Sequence, residues 1–226
     1  MAQLSTPRTF LRRRGRITRG QARALGEGFG KLALPVPESP LDWNDVFGRS
    51  APLLLEIGFG MGEGLLEVAR VERDWNCLGV DVYRPGIGAV ILRCEAEGLT
   101  NVRLIEGDAR ALLANGIAEG TLLRVILHFP DPWPKKRHHK RRLVEPGFAA
   151  LLASRMAPGA QLFAATDWEP YAHQMLSVFD AEPKLENSAG TGRFAPPAPR
   201  EPTRFEARGR RLGHPIFDLA YERTAL

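Results

Sequence analysis

The chain has 226 residues, 44% of them hydrophobic and 25% charged. At ~150 residues per domain this fits one large domain with extensions, and it excludes a disordered, collagen-like or fibrous chain. No apolar run approaches the ~18 residues of a membrane span, because Glu56 and Arg124 interrupt the best candidates. The net charge of +5 is segregated: seven arginines (Arg8, Arg12, Arg13, Arg14, Arg16, Arg19, Arg23) precede the first acid, Glu27, and six cations with no acid lie between Lys135 and Arg142. Setting those 13 aside leaves 18 cations against 26 acids, net −8. Confined positive charge of this kind points to a polyanionic partner, with a solvated charged face and tail as the plainer alternative.

Residues 1–50 read as a basic extension with prolines at 35, 37 and 40, followed by a single domain over 51–226. The arginine run leads into Ile17-Thr18-Arg19-Gly20 and not into an apolar segment, unlike a secretory signal; an acid-free, arginine-rich start also suits a transit peptide, the lesser reading. From Leu53 onward, buried strands are expected at 53–57, 76–80, 102–106, 122–128 and 160–166, short and apolar on both faces. Helices are expected between them at 63–71, 86–97, 109–117 and 145–156, with another at 169–179. Strand and helix alternating in this way imply an α/β fold with a doubly wound, mostly parallel, Rossmann-like sheet, since parallel neighbours need crossover connections. Residues 187–202, rich in Pro, Gly and Ser, read as a surface loop, and strand-like stretches near 203–207 and 216–221 as a C-terminal antiparallel pair.

The two cysteines, Cys77 and Cys94, have no neighbours at metal-ligand or CxxC spacing, so neither a zinc site nor a disulfide framework is supported, and a reducing cytoplasm fits. His138 and His139 lack a third ligand, so no metal is expected.

Glu56-Ile57-Gly58-Phe59-Gly60-Met61-Gly62 closes the first long strand and opens a helix. Ligands of open α/β sheets bind beyond the carboxyl ends of strands, where glycines let the backbone come close. The nicotinamide fingerprint GxGxxG is absent, because Glu63 stands where its third glycine is required. Glu56 would repel a pyrophosphate and can accept a hydrogen bond from an ammonium group, which favours S-adenosylmethionine over a dinucleotide. Asp81 ends the next strand, where a carboxylate can take both ribose hydroxyls, and Asp108 ends the third, within reach of an adenine edge. Each acid alone could simply cap the following helix. Three in succession on one rim favour the ligand.

The most specific stretch runs from Phe129 through Pro130-Asp131-Pro132-Trp133-Pro134 to the cations Lys135, Lys136, Arg137, Lys140, Arg141 and Arg142, with His138 and His139 among them. The flanking prolines stiffen the backbone around Asp131. A rigid acid beside an aromatic ring and a cationic tract suits a polynucleotide-modifying site; Trp133 as a core anchor is an equal alternative.

This stretch, with Glu56 to Gly62, Thr166-Asp167-Trp168, Thr203-Arg204-Phe205-Glu206, Arg208-Gly209 and the opening Arg8-Thr9-Phe10 to Gly20-Gln21, resembles the bacterial tRNA (guanine-N7-)-methyltransferase family over essentially the whole chain. The resemblance implies a seven-stranded class I methyltransferase domain that moves a methyl group from S-adenosylmethionine to N7 of a guanine in the variable loop of tRNA. It implies cofactor contacts from Glu56, Gly58, Gly60, Gly62, Asp81, Asp108 and Asp131, with Asp131 also the catalytic acid. Substrate contacts are implied for Lys135, Asp167, Thr203, Arg204, Phe205 and Glu206. Residues Lys136, Arg137, His138, His139, Lys140, Arg141 and Arg142 would form an RNA-binding tract. Asp81 departs from a frequent Glu and Arg204 from a common Lys, which touches ribose geometry and a phosphate contact respectively. Two other classes stay open at this point: a nicotinamide-dependent oxidoreductase, and an RNA-binding module with a dead cofactor pocket. The sequence does not fix the oligomeric state; a monomer is favoured, with no membrane and no metal partner.

Overall fold

The structure, a computed structural model, describes residues 15–197, 206 and 213–225. Five strands form at the expected apolar runs: β2 (Leu53–Ile57), β3 (Asn76–Asp81), β4 (Val102–Glu106), β5 (Leu122–His128) and β6 (Met156–Thr166), the last beginning four residues before the expected 160 and taking in Met156, which the helix expected over 145–156 includes. They are joined through α3 (Glu63–Val71), α4 (Arg84–Glu97), α5 (Ala109–Ala111) and α6 (Pro146–Arg155), and α7 (Glu169–Asp180) follows β6. Preceding them are α1 (Arg19–Gly28), β1 (Ala33–Pro35) and α2 (Trp43–Phe47); β7 (Leu185–Asn187) and β8 (Phe217–Arg223) close the chain.

The strands form one sheet in the order β1-β4-β3-β2-β5-β6-β8-β7. All pairs from β1 to β6 are parallel, and β8 runs antiparallel to both β6 and β7. Each face is covered. Leu55, Ile57, Val125 and Leu127 pack with Phe148, Leu152, Met175 and Phe179 on one side; Leu54, Cys77, Leu104 and Ile126 pack with Leu65, Leu66, Ile87 and Ile91 on the other. Alternation of neighbouring strand residues between the two cores is why these strands read as mostly apolar runs and not as alternating ones. Both cysteines are buried, and burial pushes their thiols up to about 12, so neither offers a thiolate.

The sheet therefore has eight strands among the described residues and not seven. The eighth, β1, comes from the segment read as an extension: Ala33, Leu34 and Pro35 pair with Leu104, Ile105 and Glu106. Pro35 sits on the outer edge, where its missing N–H is tolerated. Helix α1 begins with a capping box, Thr18 Oγ1 accepting from the Gln21 backbone N–H while the Gln21 side chain accepts from the Thr18 N–H, and buries Ala24 and Leu25 in the core that contains α4.

Three further departures have local causes. The helix expected over 109–117 is α only at its start and widens into a π turn, Leu112–Gly116. Outside donors take its carbonyls there, the Trp43 indole and the Leu41 N–H at Gly116, and Arg155 Nε at Leu113. The antiparallel partner of β8 is β7 in addition to β6, a three-residue strand that ends where the loop expected over 187–202 begins. Of the strand expected near 203–207, only Glu206 lies among the described residues, and it is helical.

Candidate active site

Strand order reverses between β2, which leads outward to β3, β4 and β1, and β5, which leads to β6. The crevice beyond the carboxyl ends of β2 and β5 is thus the topological switch point, the place where open α/β sheets bind ligands. Glu56, Asp81, Asp108, Asp131 and Asp167 all lie on the strand-end rim that includes it, each at or just beyond the end of its strand.

The glycine loop from β2 to α3 needs left-handed backbone at Gly58, Gly60 and Gly62, with φ of 76°, 58° and 82°, a region L side chains avoid. The three glycines differ in what faces them. A Cβ at Gly58 or Gly60 would meet nothing within 4 Å, so the backbone there borders open space. A Cβ at Gly62 would overlap Val90 of α4, so that glycine serves close packing. Gly86, which sequence reasoning passed over, belongs to the same construction: a Cβ there would overlap the Gly60 carbonyl oxygen. The sequence carried no signal for it; only the packing of α4 against the glycine loop shows the role.

Glu56 is 3% exposed, and its Oε2 has no hydrogen-bond partner. The carboxyl lies under Gly64 in the first turn of α3, where a Cβ would stand 3.2 and 3.5 Å from its two oxygens. Burial, and after it the Asp81, Glu63 and Glu67 carboxylates, push its pKa up to about 8. A buried carboxyl with an unused acceptor beside an open loop suits a cationic donor group. Asp81 ties the same loop to β3: Oδ2 accepts from the Gly60 N–H and Oδ1 from the Tyr83 N–H, each at 2.8 Å. Burial raises its pKa, backbone N–H groups of Gly60, Tyr83 and Val82 oppose that, and Asp131 adds to the rise. Asp108 accepts from the Arg110 N–H at 2.7 Å and is the N-cap of α5, the plain capping role.

Asp131 stands half-buried between Phe129 and Trp133, whose φ values of 52° and 45° place two bulky residues in left-handed backbone. Such conformations persist only where the surroundings impose them. One constraint is the Phe129 N–H, bonded to the Ala165 carbonyl of β6 at 2.7 Å. Trp133 is only 7% exposed and anchors the loop, with the His138 ring edge-on at 5.7 Å and the Arg141 guanidinium 5.0 Å from its centroid. Of the two readings of Trp133, core anchor is the one found.

The cationic tract folds as a 3-10 helix, Lys136–Arg141. Lys135, Lys136, Arg137 and Lys140 are exposed, and His138, His139 and Arg141 half-buried. Arg142 corrects the expectation of a uniform RNA-binding tract: it is 3% exposed, and its guanidinium is turned onto Pro132, Gln174 and Tyr171, where no phosphate can reach it. Asp167, at the end of β6, is half-buried with His214 Nδ1 3.8 Å away. Thr203, Arg204 and Phe205 lie outside the described residues, and Glu206 is fully buried.

A glycine loop at the switch point, a buried acid beneath it and a second acid on the adjoining strand are the layout of a class I S-adenosylmethionine-dependent methyltransferase. The fold agrees. The 16S rRNA methyltransferase KamB superimposes with a TM-score of 0.58 at 16% identity over 80% of this chain and 92% of its own, and the antibiotic-resistance methyltransferase Kmr with 0.54 at 20% identity over 78% and 88%. Residues 50–219 match a family model described as "Putative methyltransferase". Curated relatives narrow the class. Proteins named tRNA (guanine-N(7)-)-methyltransferase from Alkalilimnicola ehrlichii and Pseudomonas fluorescens (strain Pf0-1) are 50% and 48% identical, each over 96% of this chain and 92% and 91% of their own. The chain belongs to the tRNA (guanine-N(7)-)-methyltransferase family, which ends the nicotinamide alternative.

The residues present fit S-adenosylmethionine. The orphaned Glu56 oxygen matches its ammonium group, the open backbone at Gly58 and Gly60 leaves room for the methionine portion, and Asp81 faces the loop from the neighbouring strand. Among the described residues no group of three His, Cys, Asp or Glu could hold a metal ion, and no helix is long and apolar enough to cross a membrane.

Proposed function

We propose that this protein, acting in the cytoplasm, methylates N7 of a guanine in the variable loop of tRNA, with Asp131 as the catalytic carboxylate. The observation that carries this reading is the position of Asp131. It is held by strained backbone on the rim at the switch point and is joined without a break to an exposed cationic helix. Phosphate grip, base contact and cofactor pocket then share one rim.

When bound, S-adenosylmethionine supplies an electrophilic methyl group, and the electron pair of the broken C–S bond stays on sulfur as the N7–C bond forms. Guanine N7 carries an in-plane lone pair and no proton, so no base is needed before attack. Positioning dominates the barrier. The ring gains positive charge as the bond forms, and the Asp131 carboxylate stabilises it, either through space or by accepting from the N1–H and N2–H edge. Lys135, Lys136, Arg137 and Lys140 grip the RNA backbone, Asp167 borders the entry of the base, and Glu56 and Asp81 hold the two ends of the cofactor's charged and hydroxyl-bearing groups. The remaining acid, Asp108, meets the adenine end of the cofactor while its Oδ1 caps α5.

The test is direct: incubate the protein with tRNA and methyl-labelled S-adenosylmethionine, digest the RNA and map the label. The expected product is a single 7-methylguanosine in the variable loop. Label on another base or atom, or none, overturns the reading.

A further inference from the structure

We propose that Arg142 is a positioning residue that sets where Asp131 stands relative to Asp167, by tying the Asp131 loop to helix α7. Its Nε donates to the Pro132 carbonyl at 2.9 Å, on the residue next to Asp131, and its Nη1 donates to Gln174 Oε1 on α7 at 2.5 Å. The guanidinium carbon lies 4.8 Å from the centroid of the Tyr171 ring, also on α7. Gln174 and Tyr171 are themselves fixed by the chain that leaves the loop: Gln174 Nε2 donates to the Val144 carbonyl at 3.0 Å, and the Tyr171 hydroxyl accepts from the Val144 N–H at 3.1 Å. Helix α7 starts two residues after Asp167. One buried side chain therefore joins the peptide beside one site acid to the helix that follows another.

The chemistry argues against simple space-filling. The guanidinium is held by the Pro132 and Gln174 oxygens, with the His139 Nε2 3.3 Å from its Nη2, and by no carboxylate among the described residues; burying a cation without a carboxylate partner carries a desolvation cost that an apolar side chain would avoid. What arginine adds is a rigid planar fork that bonds in two directions and stacks on a ring at once, which lysine cannot do. The loop it grips needs such a hold, since left-handed backbone at Phe129 and Trp133 relaxes unless constrained.

This inference rests on the methyl-transfer reading, and the experiment separates the two. Single-turnover methylation is measured with both ligands saturating for the parent, Arg142→Gln, Asp131→Asn and the double variant. Acting through Asp131, Arg142→Gln should slow the parent by roughly 10²-fold, the order expected of an ~1 Å misplacement. The same change should slow the Asp131→Asn protein by less than about 3-fold, because the group it positions is already gone. Arg142→Lys should stay within a few-fold of the Gln variant. Equal losses in both backgrounds, as from a smaller folded fraction, or full rescue by Lys, overturn the proposal. If Arg142→Gln does not fold, Gln174→Ala, at a half-buried position, should give the same non-additive pattern at smaller amplitude. A readout without activity completes the test: in protein carrying 5-fluorotryptophan, the Trp133 fluorine resonance, assigned through Trp133→Phe, should shift or broaden in the Arg142 or Gln174 variant. An unchanged resonance overturns the anchoring role even if the parent proves to methylate another target.

Discussion

Asp131 is held where two neighbours adopt backbone that their side chains disfavour, and the value of that arrangement lies in the carboxylate's charge and position. Asn is nearly isosteric but replaces one acceptor oxygen with an NH2 donor and removes the charge. Asp131→Asn should lower single-turnover methyl transfer by roughly 10²-fold or more, as for loss of one preorganised electrostatic group. tRNA affinity should change little, because phosphate contacts dominate it. A variant working at the parent's rate with both ligands saturating would leave Asp131 a loop-shaping residue. Glu56 makes a second prediction, in pH. Its pKa is about 8 in the folded protein against a usual 4.5. The folded state thus takes up a proton between those values, and the stability this group contributes is full below about 4.5 and falls as pH rises toward about 8. A cationic ligand favours the ionised carboxylate, so binding below pH 8 releases a proton. S-adenosylmethionine affinity should weaken on acidification, by up to about tenfold per pH unit for one linked proton. Calorimetry in buffers of different ionisation enthalpy should detect that proton in the parent and miss it in Glu56→Gln; identical buffer dependence in the two would remove Glu56 from the cofactor site.

The short 3-10 helix Lys136–Arg141 offers cations outward from a base that is itself pinned inward by Trp133 and Arg142. Exchanging the exposed Lys136, Arg137 and Lys140 for Ala should weaken tRNA binding and flatten its salt dependence, by up to about 0.9 in slope per lost phosphate contact. Cofactor affinity should hold steady; unchanged tRNA affinity and slope would make the tract a solvated face. Which elements could be read beforehand follows from their physics. Strands β2, β4 and β5 lie in the sheet interior, so apolar residues predominate on both faces and their ends are marked by Gly, Asp or Pro. Strand β1 is three residues long at the sheet edge, and its Leu-Pro content carries no period to detect. Strand β7 is equally short. Among site residues, the rim acids stood out because a carboxylate is unusual at the end of an apolar run. Arg142 did not, since an arginine among arginines gives no sign of turning inward; only the packing of α7 against the loop decides that. Gly62 and Gly86 likewise became packing residues only once α4 lay against the glycine loop.

On the scale of the whole molecule, positive charge is confined to two segments of a chain otherwise net negative by eight; under the proposed function these are the places to which tRNA would be drawn. The N-terminal segment joins a basic run to a packed helix, and truncation can separate the two. Removing residues 1–14 deletes Arg8, Arg12, Arg13 and Arg14 and leaves the described core whole. That protein should melt within a few degrees of the parent, bind S-adenosylmethionine unchanged, and bind tRNA more weakly with a shallower salt slope. Removing residues 1–28 also strips α1, whose Ala24 and Leu25 are buried in the same core as Ile91, and where a Cβ on Gly28 would stand 2.9 Å from an Ile91 methyl. Losing one buried Leu costs about 2–5 kcal/mol. Helix α4 in turn presses Gly86 against the Gly60 carbonyl and Val90 against Gly62, so loosening it reaches the cofactor loop. The longer truncation should therefore lose thermal stability and S-adenosylmethionine affinity together, while the shorter loses neither. Calorimetry and thermal melting of the two proteins decide the matter: cofactor affinity that survives removal of α1 would show that the glycine loop holds its shape without support from the N-terminal segment.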